Sequence, residues 1–355
     1  MPCEHGGRIA ELAGETQTGL DFSASLNPFL HPRVRSIINR SAHTVYNYPD
    51  NTYARFRHAV ATYLGVPSTN VVPGNGSVEL IRLFATSVLE KGDTVLLPAP
   101  TFNEYEFACR LAGADIIAVP AWERHGLQNA IVQTVATQDV KMVFLCNPNN
   151  PTGTLMKREA VLDIAKVCSE HNTFLFVDEV FIELSDPKQS IAGVSCDPVF
   201  VLRSLTKSFA VPGLRVGYGV TGPACAAALE CIRPPWNLNS IAAEAATRLL
   251  EGCEAYLSSS RAKIAVERDR LIAELAAMPG LQPLDSDANF LMVNIARTAI
   301  SSTEFARRML RHGLLVRDCS TFWLTDSNYI RIAVRTRTEN DRLLDALRCV
   351  LDTKP

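Results

Sequence analysis

The chain has 355 residues, 47% hydrophobic and 20% charged, with a formal net charge of −2. That length exceeds one minimal core and fits a large domain plus a smaller one, or two of similar size. The near-neutral balance, without long single-sign blocks, removes electrostatic grounds for a nucleic-acid or membrane-surface partner.

The first residues, MPCEHGGRIAELAGE (1–15), lack the apolar stretch of a signal peptide. No apolar run approaches the roughly 18–20 residues of a membrane span, so a cytoplasmic location is expected. Ten cysteines are scattered from position 3 to 349 with no CxxC pair. Reduced, mostly buried thiols are expected, and no metal-ligand spacing appears.

SVELIRLFATSVLEKGD (77–93) reads as a helix that stops at Gly92. Short apolar runs follow: DTVLLP (93–98), ADIIAVP (114–120), KMVFLCNP (141–148), TFLFVDEV (173–180), PVFVLRSL (198–205) and RVGYGV (215–220). Most are continuously apolar, which suits strands buried on both faces. Between two of them, KREAVLDIAKVCSEH (157–171) places Val161, Ile164, Ala165 and Cys168 on one helical stripe. This alternation predicts an open, mostly parallel sheet covered by helices. The stretch 240–278 is rich in Ala, Leu, Glu and Arg and predicts one long helix or two in series. Beyond PGLQPL, strands (NFLMVNI, YIRIAVR) mix with helices (STEFARRMLRHG, ENDRLLDALRCVL), as in a second, smaller α+β domain.

In open α/β sheets, ligands bind at strand carboxyl ends and helix N-termini. PGNGSVE (73–79) precedes a helix; Ser77 can cap it, and the N–H groups of Gly76, Ser77 and Val78 can form an anion site. An ordinary capped turn has the same composition. NPNNPTG (147–153) sets three asparagines after a buried strand. Asp178 ends the next strand, where a carboxylate needs a partner: a helix cap, an ion pair or a cationic ring nitrogen. Ser204, Lys207 and Arg215 follow another strand. An arbitrary lysine is a surface lysine, but Phe209, Val211 and Leu214 surround this one, and an apolar pocket lowers the amine's pKa. An anion cradle, a carboxylate for a ring nitrogen and an imine-forming lysine are together what pyridoxal phosphate needs.

With these motifs the sequence resembles the fold-type-I pyridoxal-phosphate enzymes of the aspartate aminotransferase superfamily over essentially its whole length. The resemblance implies an N-terminal arm (1–42) contributing to the smaller domain and substrate pocket. It further implies a large, mostly parallel α/β domain (43–245) and a smaller α+β domain (246–355). Position by position, Lys207 resembles the lysine that takes the cofactor's aldehyde and Asp178 the ring-nitrogen carboxylate. Asn150 resembles the asparagine bonded to the ring's 3′-oxygen, and Phe102 the aromatic on the ring face. Gly76, Ser77, Val78, Ser204 and Arg215 match the phosphate grip. Tyr48 matches a tyrosine that reaches the neighbouring subunit's phosphate, which implies a homodimer. Position 181 is Phe, where many aminotransferases place a tyrosine.

Two branches of the superfamily compete. RSLTKSFAVPGLRVGY and VDEVFIEL are similar to the histidinol-phosphate aminotransferases. HGGRI (5–9), LDFSASLNPF (20–29) and Phe181 look more like the threonine-phosphate decarboxylases of cobalamin biosynthesis. The second likeness implies a substrate pocket of His5, Gly6, Asn27, Tyr48, Arg317 and Arg331, and decarboxylation of a phosphorylated amino acid. The bland alternative for HGG is a flexible terminus.

Overall fold

The structure is a computed structural model that describes residues 6–7, 19–122, 126–194 and 197–352. In chain order the strands are β1 (Leu20–Asp21), β2 (Val71–Gly74), β3 (Thr94–Ala99), β4 (Asp115–Pro120), β5 (Met142–Cys146), β6 (Phe174–Asp178), β7 (Val199–Ser204), β8 (Gly217–Thr221), β9 (Gln282–Pro283), β10 (Phe290–Asn294), β11 (Leu314–Leu315), β12 (Arg317–Asp318) and β13 (Tyr329–Ala333). Seven of them form one sheet in the order β2-β8-β7-β6-β5-β3-β4. Within it only β8 runs against its neighbours, so the sheet is mostly parallel, as expected.

The apolar runs are continuous because helices cover both faces. On one face Phe144, Phe176 and Phe200 pack under helices Ser77–Val88, Asn103–Ala112 and Pro223–Ile232. On the other, Val143, Leu175, Val177 and Val201 meet helices Leu127–Thr137 and Arg158–Glu170. The strand period of two makes this division. It also lines up an aromatic row: Tyr105 stacks on Phe144 at 4.9 Å, and Phe176 on Phe200 at 5.0 Å.

Period two sorts the polar strand ends in the same way. Asp178 and Ser204 share the phenylalanine face with Phe176, Phe200 and Leu202. Glu179 and Arg203, one residue on or back, leave by the opposite face and form a buried network. Arg203 Nε donates to Glu179 at 2.8 Å, Nη2 donates to Ser190 at 2.7 Å, and Nη1 donates to Glu183. The Tyr63 hydroxyl donates to the second oxygen of Glu183 at 2.6 Å. This network ties the ends of β6 and β7 together.

A four-stranded antiparallel sheet, β12-β13-β10-β9, forms a second core with helices Glu254–Ala276, Ser302–Arg311 and Arg337–Asp352. The N-terminal strand joins it: β1 pairs in parallel with β11, and Phe22 lies in that core.

Several sequence-based expectations shift. The helix from Ser77 ends at Val88, not Gly92, because Leu89 is already extended and Gly92 (φ 92°) makes a turn whose N–H reaches Gly113. The long helical stretch is two helices, Ser240–Leu250 and Glu254–Ala276. The first packs as a unit with Ile37, Phe56 and Val60, so a domain boundary at 245/246 would cut one helix. The second contributes Leu257 to that cluster and Ile264, Leu271 and Leu275 to another core. Strand β2 gives little sign in the sequence because it is four residues long and contains Pro73, which a sheet edge tolerates.

Glu179 is the most deeply buried partner of Arg203. Replacing it with Ala leaves a buried guanidinium short of its charge partner and should cost about 3–5 kcal/mol in urea denaturation. A loss below about 1 kcal/mol would show that the network does not clamp the strands.

Candidate active site

Parallel strands deliver their carboxyl ends to one edge of the sheet. There β5 ends at Cys146, β6 at Asp178 in register with it, and β7 at Ser204, followed by the short helix Leu205–Ser208. A cavity of about 490 Å³ opens at this edge. Lys207, Asp178, Asn150 and Phe102 line it from the large sheet, and Arg317 and Arg331 from the second one.

Asp178 is buried. Burial pushes its carboxyl up to about 6, against hydrogen bonds from Tyr105 and the Val180 N–H and the nearby Lys207 charge. The Tyr105 hydroxyl donates to Oδ2 at 2.7 Å and the Val180 N–H to Oδ1 at 2.9 Å. No ion pair to Asp178 occurs among the described residues. A buried carboxylate facing a cavity without an ion pair fits a protonated ring nitrogen.

Lys207 is not a surface lysine. It is half-buried in the cavity, and its Nζ lies 5.9 Å from the centre of the Phe181 ring. Burial lowers its amine to about 8, with Arg331 and Arg215 adding to the shift. Position 181 offers no hydroxyl here: Phe181 packs edge-on against Phe290 at 4.9 Å.

The residues expected to grip a phosphate differ in which donors they leave open. Gly76 has φ 81°, and a Cβ there would stand 2.5 Å from Arg215 Nη2, so only glycine lets the guanidinium close over the turn. The Gly76 N–H is taken by the Gly74 carbonyl at 2.9 Å and is not a free donor. Ser77 does not cap its helix: Gly76 holds that position, with no side-chain cap bond. The N–H groups of Ser77 and Val78 open the helix and have no acceptor among the described residues. Ser204 caps its short helix, accepting from the Thr206 N–H and donating to the Val216 carbonyl, each at 3.2 Å. Thr206 lines the cavity beside it and is an addition to the expected set.

Of the three loop asparagines, two brace the loop. Asn147 bonds Met156, and Asn149 bonds Thr101, Pro100 and Thr152. Asn150 lines the cavity, and its oxygen accepts from Arg331 Nη1. Phe102 lines the cavity too, with Tyr105 edge-on to it at 5.6 Å.

Arg317 and Arg331 are directly opposite each other on β12 and β13, both buried. Burial pulls Arg331 down to about 10, and the Arg317 charge works in the same direction. Arg331 Nη2 donates to the Ser23 carbonyl at 2.7 Å, and its buried Nε has no acceptor. Arg317 Nη2 donates to Thr321 at 2.7 Å.

The N-terminal candidates divide. Gly6 and Gly7 line the cavity; a Cβ on Gly6 would stand 2.3 Å from the Ser23 carbonyl oxygen, and the Gly7 N–H donates to Ser23 Oγ at 2.9 Å. His5 lies outside the described residues. Asn27 does not present its amide to the cavity. Its Nδ2 donates to the Ser208 carbonyl and the Tyr256 hydroxyl, and its Oδ1 accepts from the Phe29 N–H. It braces the turn after Lys207 instead, since its own N–H donates to the Lys207 carbonyl at 2.9 Å. Tyr48 is 80% exposed, stacks on Trp236 and lies away from this cavity. Sequence reasoning misses Tyr105, because an aromatic on a helix reads as core. Its spacing of three from Phe102, one helical turn, is the available signal.

Comparison with known proteins identifies the family and the fold. The family model described as aminotransferase class I and II matches residues 18–347. The threonine-phosphate decarboxylase of Salmonella typhimurium is 34% identical over 98% of this chain and 96% of its own. Histidinol-phosphate aminotransferase 2 of Archaeoglobus fulgidus is also 34% identical, over 93% of this chain and 92% of its own. The structure of histidinol-phosphate aminotransferase from Sinorhizobium meliloti, in complex with pyridoxal-5'-phosphate, superposes with a TM-score of 0.89 at 25% identity. It covers 99% of this chain and 95% of that one. The fold is therefore the aspartate-aminotransferase-like fold type I expected from the sequence.

Lys207 must be neutral to attack an aldehyde. Covalent capture of pyridoxal 5′-phosphate by the apoprotein should speed up as pH rises and level off above about 8, where the amine has lost its proton. An exposed lysine would keep accelerating to about pH 10.4. The rate, followed by absorbance, should vanish in Lys207→Ala.

Proposed function

The chain belongs to the aminotransferase class I and II family, and within it we propose that it decarboxylates L-threonine O-3-phosphate to (R)-1-amino-2-propanol O-phosphate and carbon dioxide. Its cofactor is pyridoxal 5′-phosphate. The observation that carries the reading is the facing pair Arg317 and Arg331. Like charges directly opposite across two strands repel. Both line the cavity, so an anion of more than one charge that enters it meets two guanidinium groups. One arginine would serve a lone carboxylate. Phosphothreonine brings a phosphate dianion and a carboxylate.

When bound, the cofactor supplies an electron sink for whichever substrate Cα bond stands across its ring plane. Asp178 would keep the ring nitrogen protonated, Phe102 would pack on the ring, and Ser77, Val78 and Arg215 would hold the phosphate end. The arginine pair would grip the substrate's phosphate and so orient the substrate for loss of its carboxylate, the Cα–carboxylate bond being the one that breaks. Carbon dioxide departs without the bonding electrons, which stay on Cα. The Lys207 ammonium returns a proton there. Phe181 adds no hydroxyl to this site, as in the decarboxylase likeness. The product suits the assembly of the cobalamin nucleotide loop.

A second reading, transamination of histidinol phosphate with 2-oxoglutarate, rests on relatives of equal identity that carry that name. Incubating the holoprotein with O-phospho-L-threonine should release carbon dioxide, and Arg331→Ala should raise KM about a hundredfold. No release, together with amino transfer from histidinol phosphate, would replace the first reading with the second.

We also propose a homodimer in which Tyr48 reaches the neighbouring cofactor site. Tyr46, Tyr48, Val45 and Trp236 are all exposed. Light scattering should give twice the chain mass of 38.9 kDa; a monomer at micromolar concentration would remove Tyr48 from the site.

A further inference from the structure

Arg331 is buried and makes no ion pair among the described residues, so something other than a carboxylate holds its guanidinium. Two acceptors fix its edges: the Asn150 oxygen takes Nη1, and the Ser23 carbonyl takes Nη2 at 2.7 Å. It also lies over a ring, with Cζ 5.1 Å from the centroid of Phe290. The register explains the contact. Met292 on β10 is directly opposite Arg331, and Phe290 lies two residues along on the same face. That diagonal is within reach of an aromatic side chain.

Phe290 is fully buried and does not line the cavity. It belongs to none of the large cores, packing instead with Phe181 and Ala288 in a cluster of three. Its ring meets Phe181 edge-on, and Phe181 faces Lys207. This small aromatic pair therefore links Lys207 and Arg331, two of the cations that line the cavity. A carboxylate in that place would steady Arg331 but neutralise it. An aromatic face attracts the guanidinium through its quadrupole and leaves the whole charge to a ligand.

We propose that Phe290 is a positioning residue: its ring sets the plane of the Arg331 guanidinium and so tunes the site's affinity for anions without touching them. This rests on the reading of Arg331 as an anion-binding arginine, not on which reaction follows. The test uses holoprotein carrying Phe290→Leu, which keeps most of the volume, and Phe290→Tyr, which keeps the ring. Calorimetric titration with inorganic phosphate, the cofactor site being filled, should show Kd raised roughly three- to thirtyfold in F290L and near wild type in F290Y. Cofactor affinity should stay within about twofold, and KM for O-phospho-L-threonine should rise without a fall in kcat. An unchanged phosphate Kd in F290L would overturn the proposal. So would equal losses in both variants, or a matching loss of cofactor affinity, since each marks a purely structural role. If wild-type holoprotein binds no phosphate, the premise and the proposal fall together. If it binds phosphate but releases no carbon dioxide, only the decarboxylase reading fails.

Discussion

Asp178, Lys207 and Arg331 are ionisable groups withdrawn from bulk water around one cavity, and none has an ion-pair partner among the described residues. Burial works against the charged form of each: it raises the carboxyl and lowers the amine and the guanidinium. A folded chain tolerates such groups only where hydrogen bonds hold them or an incoming ligand completes them. Here both apply. Tyr105 and Val180 hold Asp178, and Asn150 and Ser23 hold Arg331, while both side chains stay open to the cavity.

The rest of the architecture keeps these groups in place. The two-residue period of β6 and β7 sends Asp178 and Ser204 toward the cavity side and Glu179 and Arg203 to the other, where a complete ion network can close. Chemistry and clamp thus occupy neighbouring residues without competing for the same space. On the cavity side the aromatic row ends at Tyr105, whose ring packs on Phe144 while its hydroxyl serves Asp178. One side chain joins the core to the site.

Much of the site is legible in the sequence. Lys207, Asp178, Asn150 and Arg215 each follow an apolar run or a turn, and a parallel sheet turns that position into a place in space. Hydrogen-bond direction does not transfer in this way. Asn27 belongs to a motif suggestive of substrate binding, yet a carbonyl and a hydroxyl take both its Nδ2 hydrogens and the Phe29 N–H bonds its oxygen. Ser77 stands where a cap is expected, yet the turn before it gives that position to Gly76. Tyr105 carries no distinguishing sign beyond its spacing, because on a helix a tyrosine that bonds a carboxylate and one that only packs look alike.

Local order alone determined the mostly parallel sheet and pointed to Lys207 and Asp178 as polar groups at its strand ends. Apolar runs, their spacing and the residues that end them are properties of contiguous chain. The tertiary structure decided that Arg317 and Arg331 face one another, that Phe290 underlies Arg331, and that Gly6 and Gly7 close on Ser23. Each of those joins segments brought together only by the register of an antiparallel pair or by packing across the cavity. Register depends on which strands meet, and no stretch of sequence read by itself contains that.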